Sequence, residues 1–258
     1  MSNMVKKNVV VKSIEQLGSD VFSMWIADEE IAVNAKPGQF VSLYCRDGSR
    51  LLPRPISICE IDVAEGALRL VYRVVGKGTN EFSLMKAGEE IAVLGPLGNG
   101  FTIEGEKAIL IGGGIGIPPM LELAKVLHRE GVEVQVVLGY RDELFLNTEF
   151  ERYGKVYIST EDGSVGTKGN VIDAIKENGL EADMIFSCGP TPMLRGVKAF
   201  AMEHNIKAQI SMEEKMACGI GACLACTCKT KEVDHHTQVN NKRICKDGPV
   251  FYCEEVEI

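Results

Sequence analysis

The hydrophobic rhythm of the chain changes once, around residues 98–101, and that change limits the folds open to it. Before this point the apolar residues fall in short β-branched or aromatic runs: VKKNVVVKSI, FSMWI, QFVSLYC, RPISICEI, LRLVYRVV and EIAVLGPLG. Turn signals such as LGSD, KPGQ and RDGS separate them. Six short strands at this spacing predict a closed or nearly closed antiparallel barrel. One interrupting helix is expected at residues 79–85. After Gly100, apolar strands alternate with helical stripes, as in KAILIGGGIGIPPMLELAKVLHREG, VEVQVVLGYRD, KVYISTEDG and DMIFSCGPTPMLRGVKAFAMEHN. That alternation predicts right-handed crossovers and a parallel sheet with helices on its faces. Beyond about Lys207 both patterns stop and cysteines crowd in. The expected organisation is therefore a barrel over 1–99, an α/β domain over 100–207 and a small unit over 208–258. The last has little core of its own, so it is expected to need a metal for order.

The chain is 258 residues long, 45% hydrophobic and 25% charged, which is ordinary for a two-domain globular protein. Its net charge of −8 argues against a general nucleic-acid coat, because phosphate neutralisation needs excess Lys and Arg. It leaves nucleotides open, since these bind local backbone donors. No run approaches the roughly 18 apolar residues of a membrane span. The start, MSNMVKKNVVVKS, lacks the apolar core of a secretory signal. A cytoplasmic protein without membrane association is expected, and there clustered cysteines more often bind metal or do redox chemistry than form disulfides.

Two glycine loops follow apolar strands. Ile109, Leu110 and Ile111 run into Gly112, Gly113, Gly114, Ile115 and Gly116, then into Pro118 and Pro119. Glycine permits a tight turn and close approach of a ligand, and the helix that follows offers free N–H groups to phosphate. Proline suits the first helical turn. The pattern departs from the standard G-x-G-x-x-G, and a purely structural turn is the alternative. Phe186, Ser187, Cys188, Gly189 and Pro190 form the second loop, ahead of the helix start TPML. Ligands of open α/β sheets sit at the carboxyl ends of strands, so two such loops favour a nucleotide site. For Cys188 alone, the plain alternative is a small buried hydrophobe.

In the first half, Arg54, Pro55, Ile56 and Ser57 begin a barrel strand. An Arg between prolines is held extended, and its planar fork suits phosphate. Val71, Tyr72 and Arg73 add an aromatic and a second Arg, and Gly76, Lys77, Gly78 and Thr79 lead into the short helix. A barrel strand with surface arginines is the alternative.

The cysteines follow Cys218-x4-Cys223-x2-Cys226 with a distant fourth, the ligand spacing of plant-type [2Fe–2S] ferredoxins. Two irons need four thiolates, and a tight loop supplies three. Gly219 and Gly221 allow its turns, and Ala217, Ala222 and Ala225 let the chain wrap closely. Cys228, Cys245 and Cys253 are candidates for the fourth. Cys228 is too close to Cys226 to reach the far iron, and Cys245, in RICKDGPVF beside a DG turn, is preferred. A structural zinc site is the rival reading. Cys228 and Cys253 read as spare thiols, Cys45 and Cys59 as strand residues facing the barrel interior, and His235 and His236 as part of a solvated hairpin.

RPIS, the following YR and GKGT, GGGIGIPPM and CGPTPML, in this order and spacing, resemble the ferredoxin reductase-like flavoproteins over roughly residues 5–207. The resemblance implies an FAD-binding barrel and an NAD(P)-binding α/β domain. Arg54, Pro55, Ile56 and Ser57 would hold the flavin and its phosphates. Val71, Tyr72 and Arg73 would contact the flavin, and Gly78 and Thr79 the pyrophosphate. Gly112, Gly113, Gly114, Ile115 and Gly116 would underlie the nicotinamide nucleotide, with Cys188, Gly189 and Pro190 near the nicotinamide. Asp142 and Glu143, at the end of VEVQVVLGY, argue for NAD(H) over NADP(H), though Arg141 stands beside them. EEKMACGIGACLACTCK and RICKDGPVF resemble the electron-transfer subunits of NAD-dependent (class 1B) dihydroorotate dehydrogenases. That resemblance implies a separate FMN-containing catalytic subunit, two of each chain in a heterotetramer, and a role in pyrimidine biosynthesis. Ile220, Leu224 and Phe251 are expected to meet that partner. Related flavin–iron–sulfur subunits of transhydrogenases, sulfide reductases and oxygenases are the alternative. The transhydrogenase type carries Asp where this chain has Cys218.

Overall fold

The computed structural model describes residues 6–141, 143–233 and 238–258. The first six strands are β1 (Lys7–Gln16), β2 (Val21–Ala27), β3 (Phe40–Tyr44), β4 (Arg54–Asp62), β5 (Ala67–Arg73) and β6 (Glu90–Leu97). They close an antiparallel barrel in the order β1-β2-β5-β4-β3-β6. Period-two alternation explains the closure. On β5, Leu68, Leu70 and Tyr72 point into the barrel core, while Val71 points outward. Two helices interrupt the strands, α1 (Glu29–Asn34) and α2 (Lys77–Ser83), where the sequence suggested one. The missed helix α1 is capped by Asp28, whose carboxylate accepts the Ile31 N–H at 2.8 Å. Helix α2 starts two residues before its expected position. Thr79 Oγ1 there accepts the N–H groups of Val75 and Gly76 and closes the first turn.

The second domain adds β7 (Lys107–Gly113), α3 (Pro118–Arg129), β8 (Glu133–Tyr140), α4 (Asn147–Phe150), β9 (Lys155–Thr160), β10 (Thr167–Lys168), α5 (Val171–Glu177), β11 (Met184–Cys188), α6 (Thr191–His204) and β12 (Lys207–Ser211). The tail contributes β13 (Thr227–Lys229), β14 (Asn241–Arg243) and β15 (Val250–Tyr252). The sheet order is β10-β9-β8-β7-β11-β12-β15, parallel except for β15. The chain moves outward from β7 to β10 and then crosses back to β11, so its topological switch point lies between β7 and β11.

The tail is less independent than its size suggests. Strand β15 pairs antiparallel with β12, setting Ile210 opposite Phe251. Cys226, Ile244, Cys245, Phe251 and Val256 share one apolar cluster with Ile109, Ile111 and Ile185 of the sheet and Phe40 and Leu97 of the barrel. The segment therefore borrows the core of the other two units. The sheet also runs to Ser211, four residues past the anticipated break at Lys207.

A second apolar cluster ties the barrel to α3. It includes Val21, Cys59 and Val71 from the barrel and Met120 and Leu121 from α3. Cys59 therefore faces the domain seam, not the barrel interior. The β4 register shifts between Ile58 and Glu60, and Ile58 takes the inward position. Cys45 lies just past β3, half-buried against the barrel core. Among the described residues no helix is long and apolar enough to cross a membrane.

Candidate functional site: two nucleotide cradles and a thiol loop

Strand β4 opens with Arg54, Pro55, Ile56 and Ser57, all half-buried, where alternation would bury every second one. Strand and helix meet here. A Cβ on Gly78 would lie 2.6 Å from Arg54 Nε and 2.9 Å from its Cζ. Arg54 thus stacks directly on the first turn of α2, and only glycine leaves it room. Its Nη1 also donates to the Leu52 carbonyl. Tyr72 is 1% exposed, packed between Phe22 and Phe82. Its hydroxyl is buried and finds no hydrogen-bond partner among the described residues. Burial also holds the phenol well above its usual pKa. An unpaired buried hydroxyl is costly, and a flavin seated on β4 and β5 would supply the polar edge it lacks. Arg73 pairs with Asp20 at 3.1 Å, and Thr79 Oγ1 serves its own loop. Val71 faces the seam with α3. The loop before β4 is pinned to α2 by Glu81, which accepts the Arg46 N–H at 2.6 Å and pairs with Arg50.

Around the switch point, β7 ends in Gly112 and Gly113, and a single 3-10 turn, Gly114–Gly116, leads into α3. Cys188, the last residue of β11, sits in register beside Gly112. A Cβ on Gly116 would fall 2.6 Å from Gly189 Cα, and one on Gly112 3.0 Å from Ile117 Cα. The two glycine loops therefore touch. Gly114, at φ +51°, has open space over its Cβ position, which suits a nucleotide lying across the turn. Met193, in the helix start TPML, lies against this crevice; a Cβ on Gly189 would meet its Sδ at 3.1 Å. Desolvation raises the Cys188 thiol to about 12, against a smaller opposing effect of Ser211, so it is neutral at pH 7. Glu143 accepts the Ser19 N–H at 2.6 Å and belongs to the domain seam. Asp142, its partner in the argument for NAD(H), lies outside the described residues, as do His235 and His236.

In the thiol loop, Gly219 (φ +71°) and Gly221 (φ +82°) make the left-handed turns their positions require. These turns aim backbone N–H groups at sulfur. Cys218 Sγ accepts from Ala222 at 3.3 Å, Cys223 at 3.4 Å and Ile220 at 3.5 Å. Burial pushes this thiol up, but the N–H groups outweigh it and hold it at about 6. Cys245 Sγ accepts the Gly221 N–H at 3.1 Å, and the Cys245 N–H points back at Cys226 Sγ at 3.4 Å. Burial, then the neighbouring Cys226, raises the Cys245 thiol to about 12. Backbone contacts thus set Cys223 beside Cys218 and Cys245 beside Cys226. Among the described residues no three metal-binding side chains close on one ion. Two pairs are the layout that two irons require, and N–H groups aimed at sulfur suit thiolates carrying negative charge. Cys228 lies on β13, opposite Lys242 of β14, and Cys253 is buried beside β12.

The loop rests on the barrel. A Cβ on Gly219 would lie 2.9 Å from Ser42 Oγ and 3.4 Å from Leu97 Cδ1. Ser42 is on β3, in register with Pro55 of β4. Sequence reading passed over Ser42; a lone serine in the apolar run QFVSLYC was the available signal. Ile220 and Leu224 are exposed, at 45% and 61%. Phe251, grouped with them from sequence, is 4% exposed and cannot be a contact, because β15 turns it into the shared core.

Residues 213–257 match the iron–sulfur cluster binding domain of dihydroorotate dehydrogenase B, and residues 110–199 an oxidoreductase NAD-binding domain. The electron transfer subunit of dihydroorotate dehydrogenase B (NAD(+)) from Fusobacterium nucleatum subsp. nucleatum is 44% identical, over 98% of both chains. Its counterpart from Bacillus velezensis is 41% identical, over 99% of this chain and 100% of that one. Among solved structures, an NADH-dependent reduced ferredoxin-NADP oxidoreductase matches with a TM-score of 0.87 and 33% identity, over 100% of this chain and 91% of that chain. The ferredoxin reductase of carbazole 1,9a-dioxygenase, at 20% identity and a TM-score of 0.67 over 79% of this chain and 67% of that chain, shares the fold. With a ferredoxin reductase-like barrel, a nucleotide switch point and a cluster loop in one frame, the chain belongs to the family of electron transfer subunits of NAD(+)-dependent dihydroorotate dehydrogenase B.

Proposed function

We propose that this chain relays electrons between NAD(H) and a dihydroorotate-oxidising catalytic subunit, using FAD and a [2Fe–2S] cluster. The packing of Gly219 on Ser42, one strand from the flavin stretch, carries the reading, because it sets the cluster loop against the flavin barrel. When bound, FAD exchanges two electrons with NAD(H) as hydride and the cluster exchanges them singly, so together they join a two-electron donor to a one-electron path. The chain's own residues position these groups. Arg54, Pro55, Ile56, Ser57 and Tyr72 would seat the flavin, and Gly78 keeps Arg54 in place for its phosphates. Val71, Arg73 and Thr79 would shape that seat from behind, through the α3 seam, the Asp20 pair and the α2 cap. Gly112, Gly113, Gly114, Ile115 and Gly116 would pass beneath the nucleotide, opposite Cys188, Gly189 and Pro190. Neutral Cys188 would pack against the nicotinamide without a proton role. Cys218 and Cys223 would hold one iron, Cys226 and Cys245 the other. The flavin unit would span 1–99, the nucleotide unit 100–207 with the rest of β12, and the cluster unit the remainder to 258.

The partner would be an FMN-bearing catalytic subunit, two of each chain forming the complex, with Ile220 and Leu224 at the contact. The chain would work in the cytoplasm, a reducing compartment where clustered cysteines serve metal and redox chemistry more often than disulfides. The purified chain should oxidise NADH with artificial acceptors and leave dihydroorotate untouched until the catalytic subunit is added. Dihydroorotate oxidation by the chain alone would overturn this division. Copurification with a ferredoxin-linked oxidoreductase instead would favour the partner class of the 33%-identical structure.

A further inference from the structure

Ser42 is 1% exposed, and its hydroxyl has no hydrogen-bond partner among the described residues. Such a group destabilises the fold, since it has lost water and gained nothing. Alanine would fit the same strand position without that cost. The hydroxyl packs against the cluster loop: a Cβ on Gly219, one residue after Cys218, would lie 2.9 Å from it, so only glycine lets the loop come this close. The backbone N–H groups of Ile220, Ala222 and Cys223 already converge on Cys218 Sγ, so this end of the loop is built to stabilise negative sulfur. On its other side Ser42 pairs with Pro55, inside the stretch assigned to the flavin.

We propose that Ser42 is a positioning residue of the electron path: its hydroxyl donates to a sulfur on the Cys218 side of the cluster and raises the cluster's reduction potential. Reduction adds one negative charge to the cluster, and a donor aimed at sulfur stabilises that charge. The inference rests on the ligand reading above, with Cys218 as a cluster ligand.

The test is Ser42→Ala in the anaerobically purified holoprotein, with the cluster potential titrated by electron paramagnetic resonance and the flavin potential by absorbance. The variant should keep its full iron and sulfide. Its cluster potential should fall by an amount equal to about a tenfold change in the one-electron equilibrium, about 59 mV. The flavin potential should stay in place, and the cofactor-free chain should melt no lower than wild type, since an unpaired buried hydroxyl has been removed. A purely structural serine would lower that melting temperature and leave the potential unmoved, which would overturn the proposal. A shift confined to the flavin would overturn it too. Cys218→Ser separates the two levels. If that variant keeps an unaltered cluster signal, the ligand reading itself fails. If its signal is altered while Ser42→Ala is silent, only the role of Ser42 fails.

Discussion

Cys228, Cys245 and Cys253 compete for the fourth ligand position, and the surroundings of the first two separate them. Cys245 stands beside Cys226 and takes the Gly221 N–H, whereas Cys228 sits on β13 opposite Lys242. Cys245→Ser should therefore abolish or strongly reduce the long-wavelength cluster absorbance, and Cys228→Ser should retain it; absorbance with an iron assay on both variants checks this. Gly78→Ala would put a methyl group 2.6 Å from Arg54 Nε and displace the guanidinium. Losing one charge-assisted contact should weaken FAD binding by about tenfold or more, measurable by fluorescence titration of the deflavinated chain. These sites were legible in sequence because their signals are local: three cysteines in nine residues, an arginine between prolines, glycines after an apolar strand. Ser42 and Phe251 were not, because what each touches lies more than forty residues away along the chain or across a strand pairing that no short window reveals.

Between elements, the barrel and α/β domain are clamped by buried charge. Arg69 of β5 is 7% exposed and holds Glu149 of α4 through two contacts, at 2.6 and 3.1 Å, and Glu60 of β4 at 2.7 Å. Glu149→Ala would leave the guanidinium with Glu60 and Ser23 alone. It should cost about 2 kcal/mol in urea unfolding, with Arg69→Ala costing more because it strands two carboxylates. The edge of the sheet carries a pH-dependent tie. Tyr252 of β15 donates to Glu104 at 2.6 Å, and this bond, with smaller help from Gln209 and Lys207, holds the Glu104 carboxyl below its ordinary range. A depressed carboxylate contributes stability above its unfolded pKa and loses it as pH falls through the lower folded value. Acid should therefore loosen this edge below about pH 4.3 in wild type, and Glu104→Gln should flatten that part of the stability–pH profile. The six barrel strands were legible because alternation with punctuating turns is a strong signal. Helix α1, six residues long, offers too few turns for its periodicity to register. Strand β15, three residues long, is defined by its pairing with β12 and not by its own composition.

At the scale of the whole molecule, the three sites share one frame. The cluster loop rests on the barrel at Ser42 and Leu97, and β15, further along the tail, extends the nucleotide-binding sheet. Removing the cluster should therefore free the loop at 218–226 while the backbone of 251–253 keeps its hydrogen-exchange protection. Equal loss of protection in both would mean that the tail folds on metal alone. The central claim is that the clustered thiols hold an electron relay, and absorbance of the anaerobically purified chain, with iron, zinc and acid-labile sulfide assays, tests it most directly. The account predicts flavin bands, broad absorbance at longer wavelength, and about two irons and two sulfides per chain. Flavin bands with zinc and no sulfide would contradict it, leaving a reductase whose cysteines are a structural clip.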